Sequence, residues 1–232
     1  VSFATHQRGG EKVKRGYNSR QRRRAVPWIV AVAAVIAFGA TFSELQRVRG
    51  RFAEVTRHEF HDHQDVRQFI IRAAMDGLDR PIVVIGDSIV EMAKLPDTID
   101  GRAVVNAGIG GATISDFETV ADRLMDGFRP SIIAVALGTN NEGSGTIKQD
   151  YLALLARVKK LAPRVIAIGI PSRDDAERTN AEIRSAAEIA GVAFVAMPGA
   201  LGSFLPDKKH LSAVGYAPWI RSLIAAIRSP TS

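Results

Sequence analysis

Three hydrophobic patterns succeed one another along the chain. From Ala25 to Phe42, 18 positions carry no charge (AVPWIVAVAAVIAFGATF). A helix crosses a bilayer with about 17–25 mostly apolar residues and satisfies its own backbone polar groups there. Pro27 stands near the start of this run, where a missing N–H costs least, and Trp28 suits an interface. From 43 to 79 the apolar spacing becomes three-and-four, with Leu45, Val48, Phe52 and Val55, then Val66, Phe69 and Ala73. That spacing predicts a helical stalk, whose stripe Glu59 and Asp62 interrupt.

From Pro81 onward, short apolar runs alternate with helical patterns. The runs are Ile82–Ile85, Ala103–Val105, Ile132–Leu137, Val165–Ile170 and Val192–Met197. Their unbroken apolar character fits strands buried on both faces. Between and after them, Phe117, Val120 and Leu124 share one helix face, and Tyr151, Leu154, Leu155, Val158 and Leu161 another. Ile183, Ala186 and Ala190 form a third, and Ile220, Leu223, Ile224 and Ile227 close the chain. The alternation predicts an α/β domain over 80–232, a flavodoxin-like three-layer α/β/α sandwich on a parallel five-stranded sheet.

Charge refines the first pattern and leaves the last unchanged. Residues 1–24 hold eight basic side chains against one acid, Glu11, which is the whole net charge of +7. The rest of the chain is balanced, so the high pI describes a tail and not the folded part. Basic flanks stay on the cytoplasmic side of a membrane. The division expected is therefore a basic cytoplasmic tail (1–24), a transmembrane signal anchor (25–42), a stalk (43–79) and an extracytoplasmic domain (80–232) at a bacterial inner membrane. A cleaved signal peptide, with Ala37 and Gly39 before the cut, and a twin-arginine export signal are the competing readings. The tail is expected to meet anionic lipid and not nucleic acid, for it has neither an aromatic platform nor a nucleic-acid fold.

The absence of cysteine excludes disulfides and thiolate metal sites. His58 and His61 are three apart and could share a helix face, but they do not form HExxH, and a solvated stalk is the reading adopted. No metal or cofactor is expected. In open α/β sheets, ligands bind beyond the carboxyl ends of the strands. The segments there are Gly86-Asp87-Ser88, Asn106 through Thr113 (NAGIGGAT) and Gly138-Thr139-Asn140-Asn141, with Asp207-Lys208-Lys209-His210 before the last helix. They supply one hydroxyl, one glycine-rich turn, one amide and one Asp/His pair, the parts that serine attack on an ester requires. Taken singly, each residue has a plainer role: Ser88 as a helix N-cap, Asn140 in a turn, His210 on the surface, Asp207 as a cap of the last helix. GIGGAT does not fit a dinucleotide fingerprint, because Thr113 occupies its last position.

The segments IVVIGDSIVE, NAGIGGAT, ALGTNN and DKKHLSAVGY resemble, in order, the first, second, third and fifth blocks of the SGNH/GDSL hydrolase family. The resemblance runs over about residues 81–228 and implies the following roles. Ser88 is the nucleophile, His210 the general base and Asp207 its orienting partner. The oxyanion hole is made by the N–H groups of Ser88 and Gly111 and by the Asn140 amide, with Gly111 preferred to Gly108 for its spacing to Thr113. The step from Ser88 into a following helix is expected to aim the positive helix end at the anion. Two departures stand out: Asn141 replaces the usual Asp of the third block, which implies altered loop bonding. Lys208 and Lys209 separate Asp207 from His210, either favouring an anionic substrate or serving as solvated loop charges. The family implies a serine ester hydrolase acting on a small-molecule or glycan ester. An O-acyltransferase with the same residues and a catalytically inactive anchored module are the alternatives.

Overall fold

The computed structural model describes residues 12–173, 176–199 and 203–229, and the calls on the first eleven residues of the tail lie outside them. The chain divides into two units, residues 1–58 and 59–232. One long helix, α1 (Lys12–Met75), contains the apolar run and the stalk sequence as far as Met75. Pro27, expected in a first turn, lies inside this helix. The stretch Pro27–Arg51 has a mean hydropathy of 1.9 over its most apolar window and none of that window is buried, so it is long and apolar enough to cross a membrane.

The expected stalk ends differently from its sequence pattern. Residues 59–79 belong to the folded unit, and Ile71 and Met75 are wholly buried in its core. The apolar stripe of Val66 and Phe69 is not the face that docks, since Phe69 is 76% exposed. Docking uses the neighbouring stripe of His63, Arg67, Ile71 and Met75, four apart and so on one helix face. Polar side chains reaching the domain, and not apolar count alone, decide which face turns inward.

The sheet has six strands and not five, in the order β2-β3-β1-β4-β5-β6. The five expected strands are β1 (Ile82–Gly86), β3 (Arg102–Gly108), β4 (Ile132–Ala136), β5 (Val165–Pro171) and β6 (Ala193–Met197), all parallel. The addition is β2 (Thr98–Ile99), antiparallel to the start of β3. Asp100 and Gly101 join the two with φ of 50° and 78°, a tight hairpin turn that favours glycine at its second central position. The parallel order is that of flavodoxin-like sheets, and the sequence direction reverses on either side of β1.

Alternation along β1 creates two cores. Val83 and Ile85 join the helical layer of α3 (Ile114–Met125), α4 (Ile147–Val158), α5 (Ala176–Ala190) and the end of α1. Ile82 and Val84 join the opposite layer, made by α2 (Ser88–Glu91) and α6 (Ala213–Arg228) with its buried Trp219. The carboxyl ends of β1, β3 and β4 therefore open onto one edge between the layers.

If the end of α1 is part of the domain, its two faces respond differently to truncation. Ile71→Ala is expected to destabilise residues 59–232 by about 2–5 kcal/mol in urea unfolding. Phe69→Ala is expected to change stability by no more than about 0.5 kcal/mol.

Candidate active site

Ser88 is the first residue of α2, directly after β1. The N-cap role is filled by Asp87, whose side chain accepts from the Ile89 N–H at 2.9 Å. The Ser88 hydroxyl is thereby left for other work, and Ser88 Oγ lies 2.8 Å from His210 Nε2 across 122 residues of chain. Asp87 is wholly buried. Burial pushes its carboxyl above the usual value, against the opposing effects of the Ile89 and Thr139 donors and of His210.

His210 sits at the end of a short loop closed by the Phe204–Leu211 bridge and by Leu205 N–H donating to His210 O at 2.8 Å. Within it, Asp207 Oδ1 accepts from the N–H groups of Lys209 (2.9 Å) and His210 (3.0 Å). Asp207 Oδ2 lies 2.7 Å from His210 Nδ1. The His210 hydrogen bond, helped by the two backbone donors, holds the Asp207 carboxyl well below the usual carboxylate range. The helix-cap role considered for Asp207 falls to Ser212, which accepts from Gly215 N–H at 3.3 Å at the start of α6. Lys208 is exposed and Lys209 half-buried, both at the loop surface.

The glycine-rich turn after β3 is fixed from several sides. The Asn106 amide donates to Val90 O (2.7 Å) and Ala93 O (3.1 Å), while its oxygen accepts from Gly108 N–H at 3.0 Å. Gly108 cannot carry a side chain, because a Cβ there would stand 2.1 Å from the Glu91 nitrogen. The Gly110 N–H donates to Glu91 Oε2. The N–H groups of Gly108 and Gly110 are thus committed, whereas those of Ser88 and Gly111 meet no protein acceptor among the described residues. Asn140 Nδ2 donates to Ala112 O at 3.0 Å, and a primary amide keeps a second N–H for a ligand. Asn141, the departure in the third block, is buried, and its Oδ1 accepts from Ile114 N–H at 3.1 Å. That bond helps Thr113 and Asp116, whose reciprocal capping box starts α3. An amide oxygen accepts there as a carboxylate would.

Residues 84–217 match the GDSL-like lipase/acylhydrolase family. The chain belongs to that family. As a GDSL-like acylhydrolase, it hydrolyses ester bonds. No curated protein sequence matches the chain. Among solved structures it is similar to a Streptococcus pneumonia protein described as a platelet activating factor. The identity is 21%, with 74% of this chain and 95% of that one covered and a TM-score of 0.57. A catalytic mutant of Axe2, an acetylxylan esterase from Geobacillus stearothermophilus, is 16% identical, covering 67% and 97%, with a TM-score of 0.53. LAE5, an alpha/beta hydrolase enzyme from the metagenome of Lake Arreo, Spain, is 16% identical, covering 64% and 95%, with a TM-score of 0.52. At these identities the likeness is one of fold.

One expectation changes at this edge. α2 has only four residues, too few to build an aligned macrodipole, so any oxyanion stabilisation there comes from single N–H groups. The residues that hold the glycine turn, Asn106, Glu91 and Arg67, had not been singled out from sequence for that task. A polar Asn closing a buried strand was the available signal for Asn106. Among the described residues no group of three or more metal-type ligands occurs, and the His58 and His61 side chains lie outside the described set.

The depressed Asp207 carboxyl makes a pH-dependent contribution to stability. A carboxyl whose folded pKa lies below its unfolded value of about 3.9 stabilises above that value and loses the effect as pH falls through the folded one. Thermal melts are expected to place Asp207→Asn below wild type from neutral pH down to about pH 4, with the gap closing at lower pH.

Proposed function

We propose that this GDSL-family enzyme cleaves esters through a covalent acyl-Ser88 intermediate. The observation that carries the reading is the continuous chain from Ser88 Oγ to His210 Nε2 (2.8 Å) and from His210 Nδ1 to Asp207 Oδ2 (2.7 Å). Ser88 Oγ attacks the ester carbonyl carbon as His210 Nε2 takes its proton. Asp207 holds the Nδ1–H tautomer and stabilises the imidazolium. The carbonyl oxygen becomes an anion, received by the N–H groups of Ser88 and Gly111 and the second N–H of Asn140. Each such donor is worth about 2.7–4 kcal/mol in the transition state. The C–O bond to the alcohol then breaks, and His210 returns its proton to the departing oxygen. Water repeats the sequence, with His210 as base, and frees the acid and Ser88. No step calls on a metal or an organic cofactor.

The substrate we favour is an O-acetyl ester on an envelope glycan. The long apolar stretch Pro27–Arg51 supports a membrane-held enzyme, and the basic residues before it support an N-in orientation with the catalytic domain outside the cytoplasm. The acetylxylan esterase among its fold neighbours is in keeping with an acetylated carbohydrate.

The experiment is release of free acetate from an aryl acetate and from an acetylated glycan by the full chain in detergent. Ser88→Ala and His210→Ala are each expected to lower kcat by at least about 10³. Undiminished turnover in Ser88→Ala would remove the mechanism. For orientation, a reporter active only in the periplasm and fused after Ser232 is expected to be active, and a silent one would reverse the topology.

A further inference from the structure

The folded end of α1 reaches the catalytic edge by a route that the reaction itself does not use. Arg67, with a side chain only 16% exposed, donates from Nε to Gly108 O at 3.0 Å and from a terminal nitrogen to the same oxygen at 2.8 Å. The same guanidinium stands 3.4 Å from Glu91 Oε1. Glu91 is the last residue of α2, three beyond Ser88, and its other carboxylate oxygen accepts from Gly110 N–H. His63 Nε2, one helical turn before Arg67, lies 3.1 Å from that second oxygen. One cation and one carboxylate therefore grip both ends of the Gly108-Ile109-Gly110 segment immediately before Gly111.

The chemistry of this grip is directional. Gly108 offers a carbonyl, which needs a donor; Gly110 offers an N–H, which needs an acceptor. A paired Arg and Glu supply one of each and neutralise one another, so neither charge is left uncompensated in a partly buried place. With the Gly110 N–H taken by Glu91 and the Gly108 N–H by Asn106, the next free N–H in the turn is that of Gly111.

We infer that Glu91, held by Arg67 from α1, is a positioning residue that sets the direction of the Gly111 N–H and so completes the oxyanion hole only when α1 is docked. This rests on the acyl-Ser88 reading above. The part of α1 within the folded unit, from residue 59 onward, is on this account part of the catalytic support. A displacement of about 1 Å in a transition-state contact is enough to cost about 10²-fold in rate.

The test uses the full chain in detergent with an aryl acetate as substrate and a small alkylboronic acid as transition-state mimic. Glu91→Ala and Arg67→Ala are expected to lower kcat about 30- to 100-fold, to weaken the boronic acid in proportion, and to leave KM within about two-fold. Arg67→Lys, which keeps one cation but loses the fork, is expected to recover part of the loss. Arg72→Ala supplies the structural comparison. Arg72 docks the same helix through Arg123 O (2.6 Å) and Leu124 O (3.2 Å) without touching the turn. It is expected to lower Tm while kcat stays within about two-fold of wild type.

Wild-type kcat in Arg67→Ala, or an equal kcat loss in Arg72→Ala, overturns the inference and leaves the hydrolase reading standing. If Glu91→Ala does not fold, Glu91→Gln replaces it: an oxygen for Gly110 remains, the charge for Arg67 goes, and an intermediate kcat is expected. Wild-type kcat in that variant counts against the inference. An inactive wild-type enzyme, or an active Ser88→Ala, takes down both readings together.

Discussion

The catalytic edge depends on how closely two stretches of backbone approach. Where β3 ends, Gly108 lies against the backbone of Glu91 with no room for a Cβ. That approach brings the turn after β3 beside the turn after β1, so that Ser88 and the Gly110-Gly111 amides share one edge. It also lets the Asn106 amide donate to Val90 O in α2 and to Ala93 O just beyond it. A side chain at 108 would push the two turns apart, and with them the Ser88 hydroxyl and the Gly111 N–H on which the proposed mechanism relies. Topology supplies the remainder: β1 has β3 on one side and β4 on the other, so the three loops after these strands meet at the switch point of the sheet.

Much of this was legible in the sequence, and the failures have physical reasons. The five parallel strands were visible because burial on both faces demands unbroken apolar runs. Three of the motif blocks were visible because each lies at the end of such a run, and the fourth because an Asp/His pair stands just before the last helical pattern. The edge strand β2 was missed, although Asp100-Gly101 is a strong hairpin dipeptide, because two residues are too few to show any alternation. The start of the folded unit at residue 59 is hidden for a different reason. Periodicity in α1 drew attention to Val66 and Phe69, which are exposed, while the buried stripe contains Arg67, a charged residue that pattern reading assigns to solvent. The stem of Arg67 is buried and its head is bonded to carbonyl and carboxylate oxygens. Only coordinates reveal such a partner 41 residues away in sequence. Roles that each residue could have filled singly were also resolved by geometry, since Asp87 and Ser212 serve as the caps that Ser88 and Asp207 might each have been.

The glycine turn is held with more contacts than its length requires. Asn106, Glu91 and Arg67 hold its first half, and Asn140 with the Thr113 capping box holds its second. Stiffness of this kind costs conformational entropy in folding, and in the proposed mechanism the return is a donor array that need not reorganise as negative charge develops. In that mechanism Asn140 contributes to both sides of the balance, because one N–H fixes the turn at Ala112 while the other is the proposed oxyanion donor. The replacement of the usual Asp by Asn141 leaves this arrangement intact, since the α3 amide needs only an oxygen acceptor.

The two aspartates near His210 show how environment divides labour between identical side chains. Asp207 is about half exposed and accepts three hydrogen bonds, from two backbone N–H groups and the imidazole, which together keep it ionised. Asp87 is sealed beneath Ser88, and burial raises its carboxyl instead. Tyr216 is affected from the same place: burial and the neighbouring Asp87 charge push its hydroxyl up to about 12, so it stays a neutral donor to Ile89 O at 2.9 Å and ties α6 to α2. In the proposed mechanism the proton that leaves Ser88 makes His210 cationic, and that cation favours the ionised form of both carboxylates. Asp207 is already ionised and gains little from the change. At Asp87, burial dominates, and His210 is the weakest of the influences that oppose it, after the Ile89 and Thr139 groups. The cap that holds Ser88 at the start of α2 therefore rests on the fixed Ile89 N–H donor at 2.9 Å, and not on a charge that comes and goes at His210.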